Sequence, residues 1–464
     1  MKLRIPEIEI LPDDPFRNDN LERKYAVEGL TNILGSTTDP LVISVNAPWG
    51  YGKTTFLKML HAHLLNNGFK VVRFNAWESD YIDDPFVALL TDTEEQLKVL
   101  KSVGDKSLQN KLEKVKNYGK KIIKTAVPAA VRVATAGVLD LNEFTEESIA
   151  DAAERFASEQ INAYLEAKKS ISSFREEIKS IAESIYGQQS MLPLVFIIDE
   201  LDRCRPPHAV RVLEIVKHLF SIDRVAFVIA LDAEQLAHSI RTLYGQGMNV
   251  DEYLKRFFDI EFHLPIPSAD NHLSALFSRF GLDGFFDSRK EIGAADKQGV
   301  YALFRSLFKA LDFSFRERER VFSLLSLAIR ATGPREHLHP FLLGCLILLK
   351  VKNTKLYKDF VNGKADAAKI FEYFSSSSEG KEFVDSQFGA ALEVDLVYAQ
   401  TPLWDQDQLH NEFRGRAQDK TLADEERERA ICMADIAMKN RFDHIHIDVK
   451  SIVAKIDLAA GEGE

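Results

Sequence analysis

Residues 41–54 read Leu-Val-Ile-Ser-Val-Asn-Ala-Pro-Trp-Gly-Tyr-Gly-Lys-Thr. The first six are apolar or β-branched enough to predict a short buried strand. After them come Ala47, Pro48, Trp49, Gly50, Tyr51 and Gly52, then Lys53, Thr54 and Thr55. Leu57, Met59, Leu60 and Leu64 follow at helical spacing. A glycine-rich turn between a strand and a helix suits an anion: backbone N–H groups curl around phosphate oxygens, and the helix N-terminus favours negative charge. Lys53 would reach the phosphates as a point charge, and Thr54 would offer its hydroxyl to Mg²⁺. The pattern GxxxxGK[ST] opens on glycine, and Ala47 stands there instead. With Gly50 and Gly52 kept, the reading is a phosphate loop with one less permissive corner. The implied ligands are a nucleoside triphosphate and Mg²⁺.

A second pattern lies downstream. Residues 194–198 (LVFII) predict another buried strand, ending in Asp199 and Glu200. Carboxylates at the end of a parallel strand lie beside the phosphate loop. Asp199 would hold Mg²⁺, and Glu200 would act as general base toward the attacking water. Arg203 reads either as a phosphate or interface contact or as a salt bridge to a nearby acid. Residues 225–231 (VAFVIAL) predict a strand ending at Asp232, which either senses the γ-phosphate or caps the next helix. Arg256 reads as a trans-acting arginine finger and Arg316 as a sensor arginine, against the plainer reading of surface arginines.

Between residues 85 and 190 strand signals vanish and Lys, Glu, Ala and Ser dominate, predicting a long helical insertion. Within it, residues 111–124 carry six lysines and one glutamate. That run suits nucleic acid, an acidic partner or lipid, and as plainly a solvated helix face. Residues 122–139 have the length of a membrane span, but Lys124 and Arg132 interrupt them, so an alanine-rich packing helix is preferred and membrane insertion is not expected. Beyond Pro267 the pattern is helical to the end. The predicted division is a lead-in (1–40), a core with its insertion (41–265), a helical lid (266–350) and a C-terminal helical region (351–464).

The 464 residues carry a net charge of −11, which argues against a wholly basic nucleic-acid surface. Cys204, Cys345 and Cys432 show no CxxC spacing, so neither a disulfide framework nor a zinc site is expected, and a reducing cytoplasm is the economical setting. His208, His218 and His238 do not pair at metal-ligand spacing. No nuclease, deaminase or protease constellation stands out.

The turn PWGYGKTTFLKML, the strand end FNAWESD with Trp77 and Glu78, and the blocks VFIIDELDRCRP, FVIALDAEQLAHSI and EYLKRFFDIEFHLP together resemble the KAP family of P-loop NTPases. The resemblance covers residues 15–335. It implies an additional-strand α/β fold: a parallel five-stranded core with one strand between those bearing the two motifs, and an α-helical lid. It also implies an ATPase. Relatives often carry membrane helices between positions equivalent to Trp77 and Asp199, and they show Asp-Asp where Asp199-Glu200 stands here. Soluble bacterial members serve as ATPase subunits of multi-gene anti-phage systems such as the Qat type. By that resemblance the expected partners are further copies of the chain and proteins of the same system. Two other readings stay open: a nucleotide-gated scaffold with little turnover, and a membrane-associated signalling ATPase.

Overall fold

The computed structural model describes residues 8–19, 21–100, 106–126, 146–186, 190–265, 269–288, 290–332, 338–442 and 446–460. The chain divides into two compact units, one comprising residues 10–19 and 23–265, the other residues 1–9, 20–22 and 266–464.

The first unit is built on a parallel sheet. After helix α1 (Lys24–Gly35), strand β1 (Leu41–Asn46) leads into α2 (Lys53–Asn66) and β2 (Lys70–Asn75). The insertion follows as α3 (Pro85–Leu100), α4 (Lys106–Ala126) and α5 (Glu146–Tyr186). The chain then forms β3 (Leu194–Asp199), α6 (Pro206–Leu219), β4 (Val225–Leu231), α7 (Ala233–Tyr244), α8 (Val250–Leu254) and β5 (Ile260–His263). The strand order is β2-β3-β4-β1-β5, and every pairing is parallel. β4 therefore lies between the strand feeding the glycine-rich turn and the strand ending in the acids. This is the additional-strand arrangement.

Burial explains the sequence patterns. Every residue of β3 and of β4 is buried, as continuous apolar runs in parallel sheets require. Phe196 and Phe227 stack at 4.8 Å between ring centres, and Phe220 meets both edge-on. Rings of this size each contribute roughly 1.5–3 kcal/mol on full burial. In the insertion, Leu108, Leu112, Val115 and Ile122 of α4 fall at helical spacing on one face. They belong to the same apolar cluster as Phe174, Ile178, Ile181 and Ala182 of α5.

The lysine run lies on α4. Lys111 donates to the Ser180 carbonyl at 3.0 Å, Lys114 pairs with Glu177, and Lys116 pairs with Glu94. The apolar stretch 122–139 lies outside the described residues from 127 onward. Among the described residues, no helix is long and apolar enough to cross a membrane.

The second unit is helical: α9 (Ala269–Phe280), α10 (Leu282–Asp287), α11 (Lys290–Ala310), α12 (Phe315–Ala331), α13 (Pro340–Lys352), then α14 (Thr354–Val361) through α20 (Val449–Ala460). One apolar cluster runs from Leu273 to Ile456. α13 is buried on nearly all sides, as a helix that is apolar all round must be. Gly299 of α11 accommodates Phe341, whose ring atoms approach within 1.8 Å of where a Cβ would stand. α12 begins with a reciprocal capping box between Ser314 and Glu317.

Candidate nucleotide site

Four parallel strands deliver the polar residues to one edge of the sheet. Parallel register aligns Asn46 of β1 with Leu231 of β4, and Asn75 of β2 with Asp199 of β3. The carboxyl ends of these strands therefore finish level. Ligands of open α/β sheets bind at that edge.

The turn after β1 keeps its glycines for a backbone reason. Gly50 and Gly52 have φ of 82° and 83°, which only glycine adopts without steric cost. Gly52 caps α2 with no side-chain hydrogen bond, so the first N–H groups of the helix remain available to an anion. Ala47 is absent from the left-handed residues. It is buried and donates its N–H to the Leu231 carbonyl at 3.2 Å, prolonging the β1–β4 pairing. That position needs no glycine here.

Lys53 folds back over the turn: Nζ donates to the Ala47 carbonyl at 2.6 Å and lies 3.8 Å from Asp202. Burial draws its pKa below the ordinary lysine range, against the raising influence of Asp202, Asp232 and Asp199. Thr54 meets Asp199 in a side-chain hydrogen bond. Asp199 is only 7% exposed, and burial raises its pKa above the usual aspartate range in spite of that bond. A desolvated carboxylate beside a threonine hydroxyl is a hard oxygen pair whose cost a divalent cation offsets. This donor set fits Mg²⁺. Thr55 follows, half-buried on α2.

Glu200 has φ 60° and ψ 29°, a conformation of order 1–3 kcal/mol in cost for such a residue. Its carboxylate is held from two sides: Arg203 lies 2.7 Å from Oε1, and Asn75 Nδ2 donates to Oε2 at 3.4 Å. Asn75 also donates to Glu78 at 2.9 Å. The Arg203 guanidinium stands 5.6 Å over the Trp77 ring. Of the two readings of Arg203, the salt bridge is the one present.

Two acids brace the turn. Asp232 accepts from the N–H of Gln235, capping α7, and from the N–H of Trp49 at 3.1 Å. The cap reading is realised, together with a contact to the turn that the cap alone did not imply. Asp202 accepts from the Trp49 indole Nε1–H. Pro48 and Trp49 are exposed, and Tyr51 is buried. Behind the turn, Arg23 donates to the carbonyls of Tyr51 and Pro265; burial lowers its pKa to about 10.

Arg256 takes no part in the contacts above. Arg256 is exposed just after α8, and Arg316 is exposed in the first turn of α12, in the other unit. Sequence reasoning overlooked Asn75, Asp202 and Arg23. It also overlooked a convergence of Asp80, Cys204 and His208, whose ligand atoms lie within 4.8 Å of one another. His208 does not meet His218 or His238 at ligand spacing in the sequence; it meets side chains contributed by other segments.

The chain is similar to several known proteins. The Phage T7 exclusion protein of Escherichia coli (strain K12) is 22% identical over 275 residues, covering 56% of this chain and 34% of that protein. The chain thus spans about a third of the length of this relative. Among solved structures, the Aeropyrum pernix ORC2 protein in its ADPNP-ADP complexes matches at a TM-score of 0.36 and 11% identity, over 99% of this chain and 97% of that one. The Aeropyrum pernix ORC1 protein in complex with DNA matches at 0.31 and 10%, over 94% and 92%. The KAP family P-loop domain matches residues 23–315. The chain therefore belongs to the KAP family of P-loop NTPases.

Proposed function

We propose that this chain binds ATP with Mg²⁺ and hydrolyses it, working as the switch or motor subunit of a multi-protein complex in bacterial defence against phage. The observation that carries the reading is the contact of Thr54 with Asp199 at the sheet edge, with Lys53 on one side and Glu200 on the other. Mg²⁺ held by Thr54 and Asp199 supplies charge neutralisation at the phosphates. Lys53 exchanges its loop carbonyls for phosphate oxygens, and the N–H groups of α2 add to the cradle formed by Pro48 to Gly52. Glu200 takes the proton of the attacking water on a carboxylate oxygen. Arg256 is assigned as the trans-acting finger for the developing charge of the transition state, supplied within an oligomer, and Arg316 as a sensor arginine of the lid. The defence setting rests on the similarity to the Phage T7 exclusion protein.

A second reading, a nucleotide-gated scaffold with little turnover, draws on one observation. Both Glu200 oxygens already have partners, Arg203 and Asn75. The test measures phosphate release and nucleotide binding side by side. The ATPase reading expects turnover in the purified chain that Lys53→Ala abolishes together with binding. Tight ATP binding without turnover in the wild-type chain, even with its complex partners added, would leave the scaffold reading standing.

A further inference from the structure

One cluster of metal-ligating side chains takes no part in nucleotide chemistry. It joins the loop after β2 to the segment following Glu200. Cys204 ends the short 3₁₀ turn Leu201–Arg203, and His208 lies in the first turn of α6. Pro206 and Pro207 sit between them, fixing φ and stiffening the path from thiol to imidazole. Asp80 arrives from the far side of the insertion.

Three observations point to a ligand. First, one atom each from Asp80, Cys204 and His208 fall within 4.8 Å of one another. His208 Nδ1 and Asp80 Oδ1 stand 3.5 Å apart. Tetrahedral bonds of about 2.0–2.3 Å need donors roughly 3.3–3.8 Å apart, so that pair is already spaced for the task. Second, His208 and Cys204 are each 5% exposed, yet neither ring nitrogen of His208 completes a hydrogen bond. The Ile82 backbone approaches the ring as an acceptor of looser geometry and favours its charged form. A buried imidazole left in that state is costly, and metal coordination removes the cost. Third, the carboxylate is oriented from outside. Arg205 donates its backbone N–H to Asp80 Oδ2 and its Nε–H to Oδ1, both at 3.1 Å, and a further guanidinium N–H to the Asp80 carbonyl. Ligating carboxylates in metal sites are typically anchored in this way.

We propose that Asp80, Cys204 and His208 form a site for a thiophilic divalent cation, zinc above others, with the fourth position left to water. Sulfur, nitrogen and oxygen donors in one tetrahedral set select zinc over Mg²⁺ or Ca²⁺. On binding, the Cys204 Sγ–H proton leaves to solvent as the metal–sulfur bond forms, and no electrons change hands. The bound ion ties the loop of residues 76–84 to the segment carrying Glu200. Cys204 Sγ already reaches the Glu200 carbonyl at 3.6 Å. That Sγ–H bond is given up as the thiol ionises, and the metal–sulfur bond replaces it as the tether of this segment.

The test uses the full chain, stripped by chelator under native conditions and titrated with Zn²⁺ alone and with Co²⁺ alone. Metal per chain is measured by mass spectrometry, and Co²⁺ coordination by its thiolate-to-metal absorption. The inference expects one tightly held Zn²⁺ and a thiolate band in the wild-type chain. Cys204→Ala should abolish that band. Arg205→Ala, which only orients Asp80, should weaken affinity about 10–100-fold. Lys53→Ala should keep the metal while losing nucleotide, which separates this inference from the ATPase reading. A wild-type chain that takes up neither ion overturns the proposal, with no variant needing to fold. So does a Cys204→Ala chain that binds metal as the wild type does, or a Lys53→Ala chain that loses it.

Discussion

The Arg203 guanidinium lies 2.7 Å from Oε1 of Glu200, the residue assigned as general base. Both side chains are partly shielded, at 29% and 15% exposure, so the pair is neither a surface ornament nor fully desolvated. Pairs of this kind contribute about 0.2–1 kcal/mol. Freeing the carboxylate should therefore raise turnover, by up to about fivefold. We expect Arg203→Gln to increase kcat while nucleotide affinity stays unchanged. A fall in kcat would assign Arg203 a direct role at the phosphates.

Asp232 does two jobs with one carboxylate, capping α7 and holding the N–H of Trp49. Asp232→Ala should cost about 0.5–2 kcal/mol of stability, read as a lower midpoint in urea. It should also weaken nucleotide binding by loosening the turn. Trp49 and Gln235 donate to different oxygens of Asp232, so Asp232→Asn keeps an acceptor for only one of them and should recover the helix cap or the hold on the turn, but not both. Full stability in the alanine variant would refute the bracing role.

Asp199 gives a dependence on pH. Burial raises its folded-state pKa above that of the unfolded chain, so the folded state holds the proton more tightly. Stability from this group is fully present below the unfolded aspartate value, and it is lost as pH rises through the raised folded one. Without Mg²⁺, Asp199→Asn should melt higher than the wild type at neutral pH, and the difference should close in acid. The same variant should lose Mg²⁺-dependent turnover. A lower melting temperature for Asp199→Asn at neutral pH would show that the carboxylate carries no desolvation penalty.

The parts of the fold that were legible share a physical reason. β1, β3 and β4 are short apolar runs because both their faces are covered, and such runs announce themselves in sequence. β5 is harder: residues 257–264 (FFDIEFHL) alternate as a strand would, yet pairing with β1 is confined to Ile260–His263. Phe257 and Phe258 are buried in the apolar cluster instead, and Asp259 accepts from the N–H of Val42. The motif residues Lys53, Thr54, Asp199 and Glu200 could be named because spacing along the chain fixes their chemistry. Asn75 could not, since its contact with Glu200 exists only through the parallel register of β2 with β3. Cys204 and His208 are four apart and visible in sequence, but their third partner, Asp80, lies across the whole helical insertion. Arg23 stands in no motif that the sequence marks, yet it is 1% exposed and donates to the Tyr51 carbonyl of the phosphate turn.

Glu200 as the base of an ATPase is tested most directly by one comparison: steady-state phosphate release by wild-type and Glu200→Gln chains, with ATP affinity measured on the same samples. Glutamine keeps the shape and an acceptor for Asn75, but cannot take a proton from water. Turnover should fall about 10²–10⁴-fold with ATP affinity intact. A Glu200→Gln chain that hydrolyses ATP at the wild-type rate would contradict the mechanism at its centre.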